Sequence, residues 1–260
     1  MEFPVLIAAC NEEDAVKQTL DKLPRNVTPY VIANGCIDRT AEVADEYGAY
    51  VIELEEPGKL PALQEGIKAL GESATEPFIT LDADSRPLMP KRWPDALMKA
   101  RTEECDPDAP AVVTGPSVYH GDNDLVIAAR WTLRHYVRQR QTAHDDNAGG
   151  FYGRNLLFDL HDQETVDEVL SLPHYWPRED VAMKDVVVAH EGETYKSGSP
   201  MAAVVTSARR FNSLHTRLEL GAEKSREVSQ TSYEHDHIPG SRPYISREDH
   251  LQTFEGEDFS

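Results

Sequence analysis

The chain is short of most features that would set it apart from an ordinary globular protein. Only three cysteines occur in 260 residues, Cys10, Cys36 and Cys105. They are odd in number and show no C-x-x-C pair, which argues against a disulfide framework and a zinc cage. No apolar run approaches the roughly 20 residues that cross a bilayer, and no basic stretch followed by an apolar one opens the chain. A soluble, unsecreted chain in a reducing cytoplasm is therefore expected, with no integral membrane segment. Basic residues are scarce: 26 Lys and Arg face 46 Asp and Glu, giving a net charge of −20. Such a field repels nucleic acid and anionic lipid at long range. No G-x-G-x-x-G opens an early helix, which counts against a nicotinamide dehydrogenase, and none of the ten histidines shows H-E-x-x-H spacing.

What is present is a balanced globular composition, 40% hydrophobic and 28% charged, over a length that suits one to two domains. Short apolar runs rich in β-branched residues recur at Phe3 to Ala9, Tyr30 to Ala33, Tyr50 to Leu54, Phe78 to Leu81 and Ala111 to Thr114, and read as buried strands. Amphipathic stretches fill the gaps at Glu12 to Leu23, Asp38 to Tyr47 and Lys59 to Leu70. Strand alternating with helix predicts a parallel sheet, with ligands gathering beyond the carboxyl ends of its strands. Those ends are polar: Asn11-Glu12-Glu13, Asn34-Gly35-Cys36-Ile37-Asp38, Gly58-Lys59 and Asp82-Ala83-Asp84-Ser85. The stretch from Glu179 to His190, with three consecutive valines, suits either a strand or a buried helix. From about Leu218 onward the chain is polar and reads as a flexible extension.

Asp82 and Asp84, one residue apart at the end of an apolar strand, repel each other unless a cation intervenes. A hard divalent ion such as magnesium or manganese takes carboxylate oxygens together with substrate phosphates and water, which makes a nucleoside diphosphate its natural companion. A solvated turn would carry the same two residues.

The chain resembles the family-2 glycosyltransferases with the GT-A fold over residues 3–213. The resemblance is carried by Val-Leu-Ile-Ala-Ala-Cys-Asn-Glu-Glu, Ala-Asn-Gly-Cys-Ile-Asp-Arg-Thr-Ala-Glu-Val-Ala, Gly-Lys-Leu-Pro-Ala-Leu-Gln-Glu-Gly-Ile and Leu-Asp-Ala-Asp, in that order. Later stretches, Gly-Arg-Asn-Leu-Leu-Phe, Arg-Glu-Asp-Val and Thr-Ser-Ala-Arg-Arg-Phe, are similar to acceptor-side motifs of the family. It implies an α/β GT-A fold, a Rossmann-like and mostly parallel central sheet flanked by helices. The expected domain spans residues 1–216, with a nucleotide-sugar half at 1–116 and an acceptor-side half at 117–216, followed by the polar extension at 217–260.

The same resemblance implies a metal-dependent inverting glycosyltransferase that moves a hexose-type sugar from a nucleotide diphosphate, UDP favoured, to an acceptor hydroxyl. Ala9, Asn11, Glu12 and Asn34 would line the nucleoside end, with Lys59 near the base or diphosphate. Asp82 would sit by the ribose and share a Mn2+ or Mg2+ ion with Asp84, while Arg209 and Arg210 would face the phosphates. Asp180, beside Glu179, would take the proton of the acceptor hydroxyl, with Asn155 on the acceptor side. The family's acidic pair is replaced here by Ala33-Asn34, which weakens base recognition by a carboxylate. Each residue also has a plainer reading. Asn34-Gly35 suits a turn, Glu12, Glu179 and Asp180 suit helix starts, and Arg209-Arg210 suits a surface pair.

One feature is this chain's own. Between Asp124 and Asp145 lie twenty residues without an acid, holding Arg130, Arg134, Arg138 and Arg140 among Trp131, His135 and Tyr136. On a helix Arg130, Arg134 and Arg138 form one stripe, suited to a phosphorylated or otherwise anionic acceptor, or to an acidic face of the protein itself. His190 and His215 are candidate third metal ligands, His235 and His237 candidates for a closing flap, and Cys10 and Cys36 small packing residues. Three alternatives remain open. A sugar-1-phosphate nucleotidyltransferase would need a glycine-rich, arginine-containing loop where this chain has Ala-Cys-Asn-Glu-Glu. A non-catalytic protein of the same fold would have lost turnover, and a transferase could act on a modified base in nucleic acid.

Overall fold

The computed structural model describes residues 2–120, 132–133, 154–174 and 179–207. Strands β1 (Phe3–Ala9), β2 (Val27–Asn34), β3 (Tyr50–Leu54) and β4 (Phe78–Leu81) form where the β-branched runs lie. Helices α1 (Glu13–Leu20), α2 (Thr40–Glu46) and α3 (Lys59–Leu70) connect them, as the amphipathic spacing predicts. After β4 come the short β5 (Ser85–Pro87), then α4 (Trp93–Glu104), β6 (Ala111–Thr114) and β7 (Ser117–His120). The remainder supplies β8 (Asn155–Asp159), α5 (Gln163–Ser171), α6 (Glu179–Ala189), β9 (Glu193–Lys196) and β10 (Val204–Ser207).

Among the described residues the main sheet has seven strands in the order β3-β2-β1-β4-β8-β6-β9. β1 pairs in parallel with β2 and β4, and β2 with β3, so the four polar strand ends fall along one edge. β8 runs antiparallel to both β4 and β6, while β9 is parallel to β6, so among the described residues β8 is the one reversed strand of this sheet. A smaller sheet, β5-β10-β7, stands beside it. β8, although late in the chain, lies between β4 and β6. β2 begins three residues earlier than its apolar run, since Val27, Thr28 and Pro29 pair with Phe3, Pro4 and Val5 of β1.

Side chains of successive strand residues point to opposite faces, and both faces are apolar. On one, Val5, Ile7 and Leu157 pack with Val16 of α1 and Trp93 and Leu97 of α4. On the other, Leu6, Ile32 and Phe158 pack with Leu63 and Ile67 of α3, Val169 of α5 and Met183 and Val186 of α6. The valine-rich stretch after Glu179 is thus a buried helix, resolving its ambiguity. Its length of eleven residues exceeds what a strand in this sheet could pair. Phe78 and Phe158 stack at 5.7 Å and tie β4 to β8. Arg101 of α4 donates to Asp159 at 2.8 Å and to the carbonyls of Asp106 and Ala109, so its buried charge is fully engaged.

Candidate active site

Lys59 opens α3 just past β3, and its ammonium reaches two carboxylates at once. It lies 2.6 Å from Asp82 at the end of β4 and 2.7 Å from Glu179 at the start of α6. The three residues are 23 and 97 positions apart along the chain, yet one cation joins them. Burial works against the charge on Lys59, but Asp82 and Glu179 override it and hold its pKa well above the ordinary lysine range. Arg154 approaches Asp82 at 3.9 Å and donates to the Tyr119 hydroxyl at 2.6 Å. Two protein cations, Lys59 and Arg154, thus lie beside Asp82.

Asp180 follows Glu179 in the first turn of α6 and is buried. Its carboxylate accepts from the Val181 amide at 3.0 Å.

The turn from Asp82 to Ser85 is closed by the Ser85 amide donating to the Asp82 carbonyl at 2.9 Å. Asp84 lines a cavity of about 350 Å3 together with Asn11, Glu12, Asp38, Arg86 and His120. Thr206 of β10 donates to Asp84 at 3.4 Å and itself accepts from Ser85. Arg86 donates to Gln18 at 2.9 Å and lies 3.2 Å from His120 Nε2. The loops after β1 and β2 are stitched into this wall. The Glu12 amide donates to the Thr40 hydroxyl at 2.8 Å, the Glu13 amide to Asp38 at 3.3 Å, and the Ile37 amide to the Asn11 side chain at 2.8 Å. Asn11 adopts a positive φ of 54°, which Asn tolerates better than most residues.

Several expected contacts turn out to be internal. Asn34, expected to line the nucleoside end, is buried with both ends of its amide engaged. It donates to the carbonyls of Ala9 at 2.9 Å and Ile32 at 3.2 Å, and accepts from the Gly58 amide at 2.9 Å. It is a strut between β1, β2 and the start of α3, and Ala9 serves it through its backbone carbonyl. Gly35 follows in the left-handed region at φ 64°, where a Cβ would stand 2.7 Å from the Pro57 nitrogen, so glycine is required by both conformation and space. Asn34→Asp should cost about 2–3 kcal/mol, since a carboxylate facing two carbonyls loses both donors. The deficit should shrink as pH falls, because a protonated carboxyl can donate again. Chemical denaturation at two pH values checks this.

Asn155, expected on the acceptor side, is likewise a buried strut, accepting from Trp93 Nε1 at 2.9 Å and donating to the Ala202 carbonyl at 2.8 Å. His190 bonds Glu168 at 2.6 Å and follows the far end of α6, about 15 Å along the axis from Asp180, which removes it as a third ligand beside the acids. Cys10 and Cys36 are not core packing residues: Cys10 is exposed and Cys36 half-buried. The arginine run with Arg130, Arg134, Arg138 and Arg140, the pair Arg209-Arg210, His215, His235, His237 and the extension at 217–260 lie outside the described residues. Sequence reasoning missed Arg154, Arg86, His120 and Thr206. Arg154 stood within the quoted Gly-Arg-Asn stretch and Thr206 opens the quoted Thr-Ser-Ala-Arg-Arg-Phe stretch, whereas Arg86 and His120 had no signal of their own.

The donor set suits a hard divalent ion. Asp84 presents carboxylate oxygens to the cavity, and among the described residues no group of three or more His, Cys, Asp or Glu forms a closed cage. Ions of the magnesium type are held by one or two carboxylates and completed by substrate phosphates and water, which fits such a sparse set.

A parallel sheet whose polar strand ends converge on paired acids, with a second acid pair at a helix start, defines a glycosyltransferase of the GT-A type. The family model "Glycosyl transferase family 2" matches residues 5–161, and the chain belongs to that family. Three solved structures share the fold. A mannosyltransferase from Pyrobaculum calidifontis in complex with GDP-Man and Mn2+ is 19% identical with a TM-score of 0.53, the match covering 78% of this chain and 56% of that one. Glucosyl-3-phosphoglycerate synthase from Mycobacterium tuberculosis, in complex with Mn2+, UDP and phosphoglyceric acid, is 18% identical with a TM-score of 0.54, covering 94% and 87%. S. aureus TarS in complex with UDP is 14% identical with a TM-score of 0.54, covering 91% and 68%. The chain thus spans little more than half of the mannosyltransferase. No curated protein gave a significant match. Among the described residues no helix is long and apolar enough to cross a membrane.

Proposed function

We propose that the chain transfers a sugar from a nucleoside diphosphate sugar, UDP-linked, to an acceptor hydroxyl with inversion at C1. The observation that carries this reading is the Lys59 bridge. It holds the acid at the end of β4 and the acid pair at the start of α6 within one cluster, so a donor lying over the strand ends would have Asp180 beside its sugar. The solved relatives bound to UDP or GDP-Man support a nucleotide donor. Asp84 would hold Mn2+ or Mg2+, and the bound ion would stabilise the charge that grows on the diphosphate as the glycosidic bond breaks.

The chain's own residues do the rest. The loops bearing Asn11 and Glu12 and the Asp84 turn enclose the nucleotide end. Asp82, held by Lys59 and Arg154, fixes the strand end against which the donor lies. Asp180 accepts the hydroxyl proton as the acceptor oxygen bonds to C1 and the bond from C1 to the phosphate oxygen breaks. The acid-free arginine run favours an anionic acceptor, such as a phosphorylated sugar, in a cytoplasmic setting.

A thermal-shift panel of UDP, GDP, CDP and TDP sugars, each with and without Mn2+, tests the reading. A ligand at 100 times its Kd stabilises the native state by about 2.7 kcal/mol, which moves the melting point by several degrees. The UDP sugars with Mn2+ should give the largest shift. A melting point unchanged by every pair of nucleotide sugar and metal would refute the proposal.

A further inference from the structure

Cys10 and Cys36 meet at the ends of β1 and β2. The two strands are parallel neighbours, with Ala9 opposite Ala33, and such strands run about 4.8 Å apart. Cys36 Sγ lies 3.4 Å from the Ala9 carbonyl oxygen and 3.4 Å from the Asn11 amide nitrogen, the backbone groups on either side of Cys10. Cys10 Sγ in turn lies 3.9 Å from the carbonyl oxygen of Gly35, the residue before Cys36. Each sulfur therefore rests against the backbone that carries the other. Two features hold the approach in place: the left-handed turns at Asn11 and Gly35, and the bond from the Ile37 amide to the Asn11 side chain. Cys10 is exposed to an incoming reagent, whereas Cys105 is buried in the core beside Arg101.

We propose that Cys10 and Cys36 form an oxidisable dithiol, which a small disulfide such as oxidised glutathione converts to an intramolecular disulfide. The exposed Cys10 thiolate attacks one glutathione sulfur, the glutathione S–S bond breaks, and the departing thiolate takes a proton from water. Cys36 then gives up its proton to solvent and attacks Cys10 Sγ, which releases the second glutathione. Two protein thiols are oxidised by two electrons and one glutathione disulfide is reduced to two thiols. The new bond would join the loop after β1 to the loop after β2, the walls that hold Asn11, Glu12 and Asp38. In a reducing compartment such a bond is transient, which suits a modification rather than a structural staple. The chemistry stands without the donor assignment, so the failure of one leaves the other in place.

The test uses the full chain with oxidised glutathione at about pH 8.5, because burial and the neighbouring Cys36, Asp38 and Glu12 hold the Cys10 thiol above its ordinary value. Acid-quenched, unfolded samples are then analysed by thiol count and peptide mass. The expected result is loss of two of the three thiols, a peptide cross-link between Cys10 and Cys36 lighter by two hydrogens, and recovery with dithiothreitol. In Cys36→Ser the reaction should stop at a glutathione adduct on Cys10. A stable adduct on wild-type Cys10 with Cys36 still reduced overturns the proposal. So does glutathione on both residues without a cross-link, or three thiols intact after the treatment.

Discussion

Asp180→Asn is expected to reduce sugar transfer by about 10²–10⁴-fold while UDP affinity stays within a factor of about two. The substitution keeps the size and shape of a buried side chain at the first turn of α6, so the fold should persist. In the proposed mechanism it removes the carboxylate that takes the hydroxyl proton, which an amide at neutral pH cannot replace. The loss should therefore appear in kcat, with donor binding untouched, because an interaction made in the transition state is missing rather than one made in the ground state. Single-turnover transfer and UDP titration on the same sample separate the two. Retained turnover would move the base to another residue.

Lys59→Met should lower stability and activity together. Two carboxylates now held by one ammonium, Asp82 at 2.6 Å and Glu179 at 2.7 Å, would lose that shared cation, with Arg154 still 3.9 Å from Asp82. The side chain is one-third exposed, so water softens the effect, and a stability loss of about 1–3 kcal/mol is expected rather than the full cost of a buried pair. The folded-state pKa of Lys59 lies above its unfolded value. Its contribution is therefore complete below the unfolded pKa of about 10.4, and is lost only as pH rises through the folded value. Across ordinary assay conditions the bridge is intact. Without it the nearby charge of Glu179 makes Asp180 harder to ionise, so the rising limb of the activity profile should move to higher pH. Lys59→Arg, which keeps the charge, should restore most of the stability and the original limb. A methionine variant with unchanged melting point and unchanged pH profile would show that the bridge does not position the acids.

The strand ends were legible because burial on both faces of a parallel sheet leaves a continuous apolar run, and those runs stop at polar residues. Phe3 to Ala9 and Phe78 to Leu81 agree with the strands to the residue. The segment after Glu179 was not legible, since a helix buried nearly all round carries no polar stripe, and apolar residues alone do not distinguish it from a strand. The candidate site was readable as a set of residues, because strand ends collect ligands. Its wiring was not. Nothing local to Lys59 announces a partner at Glu179, and nothing in Asn-Gly reveals that Asn34 spends its oxygen on Gly58 and its nitrogen on Ala9. Such pairings follow from how the chain closes on itself, and an amide is as good for a strut as for a ligand. The same holds for Cys10 and Cys36, whose separation of 26 positions conceals adjacent strand ends.

The central claim is that Asp84 holds a divalent ion which helps bind the diphosphate. Calorimetric titration of UDP into wild type and Asp84→Asn, with and without Mn2+, tests it directly. The account predicts that Mn2+ tightens UDP binding to wild type at least about tenfold, some 1.4 kcal/mol, and leaves the variant unaffected. Equal UDP affinity for wild type with and without Mn2+ would contradict it.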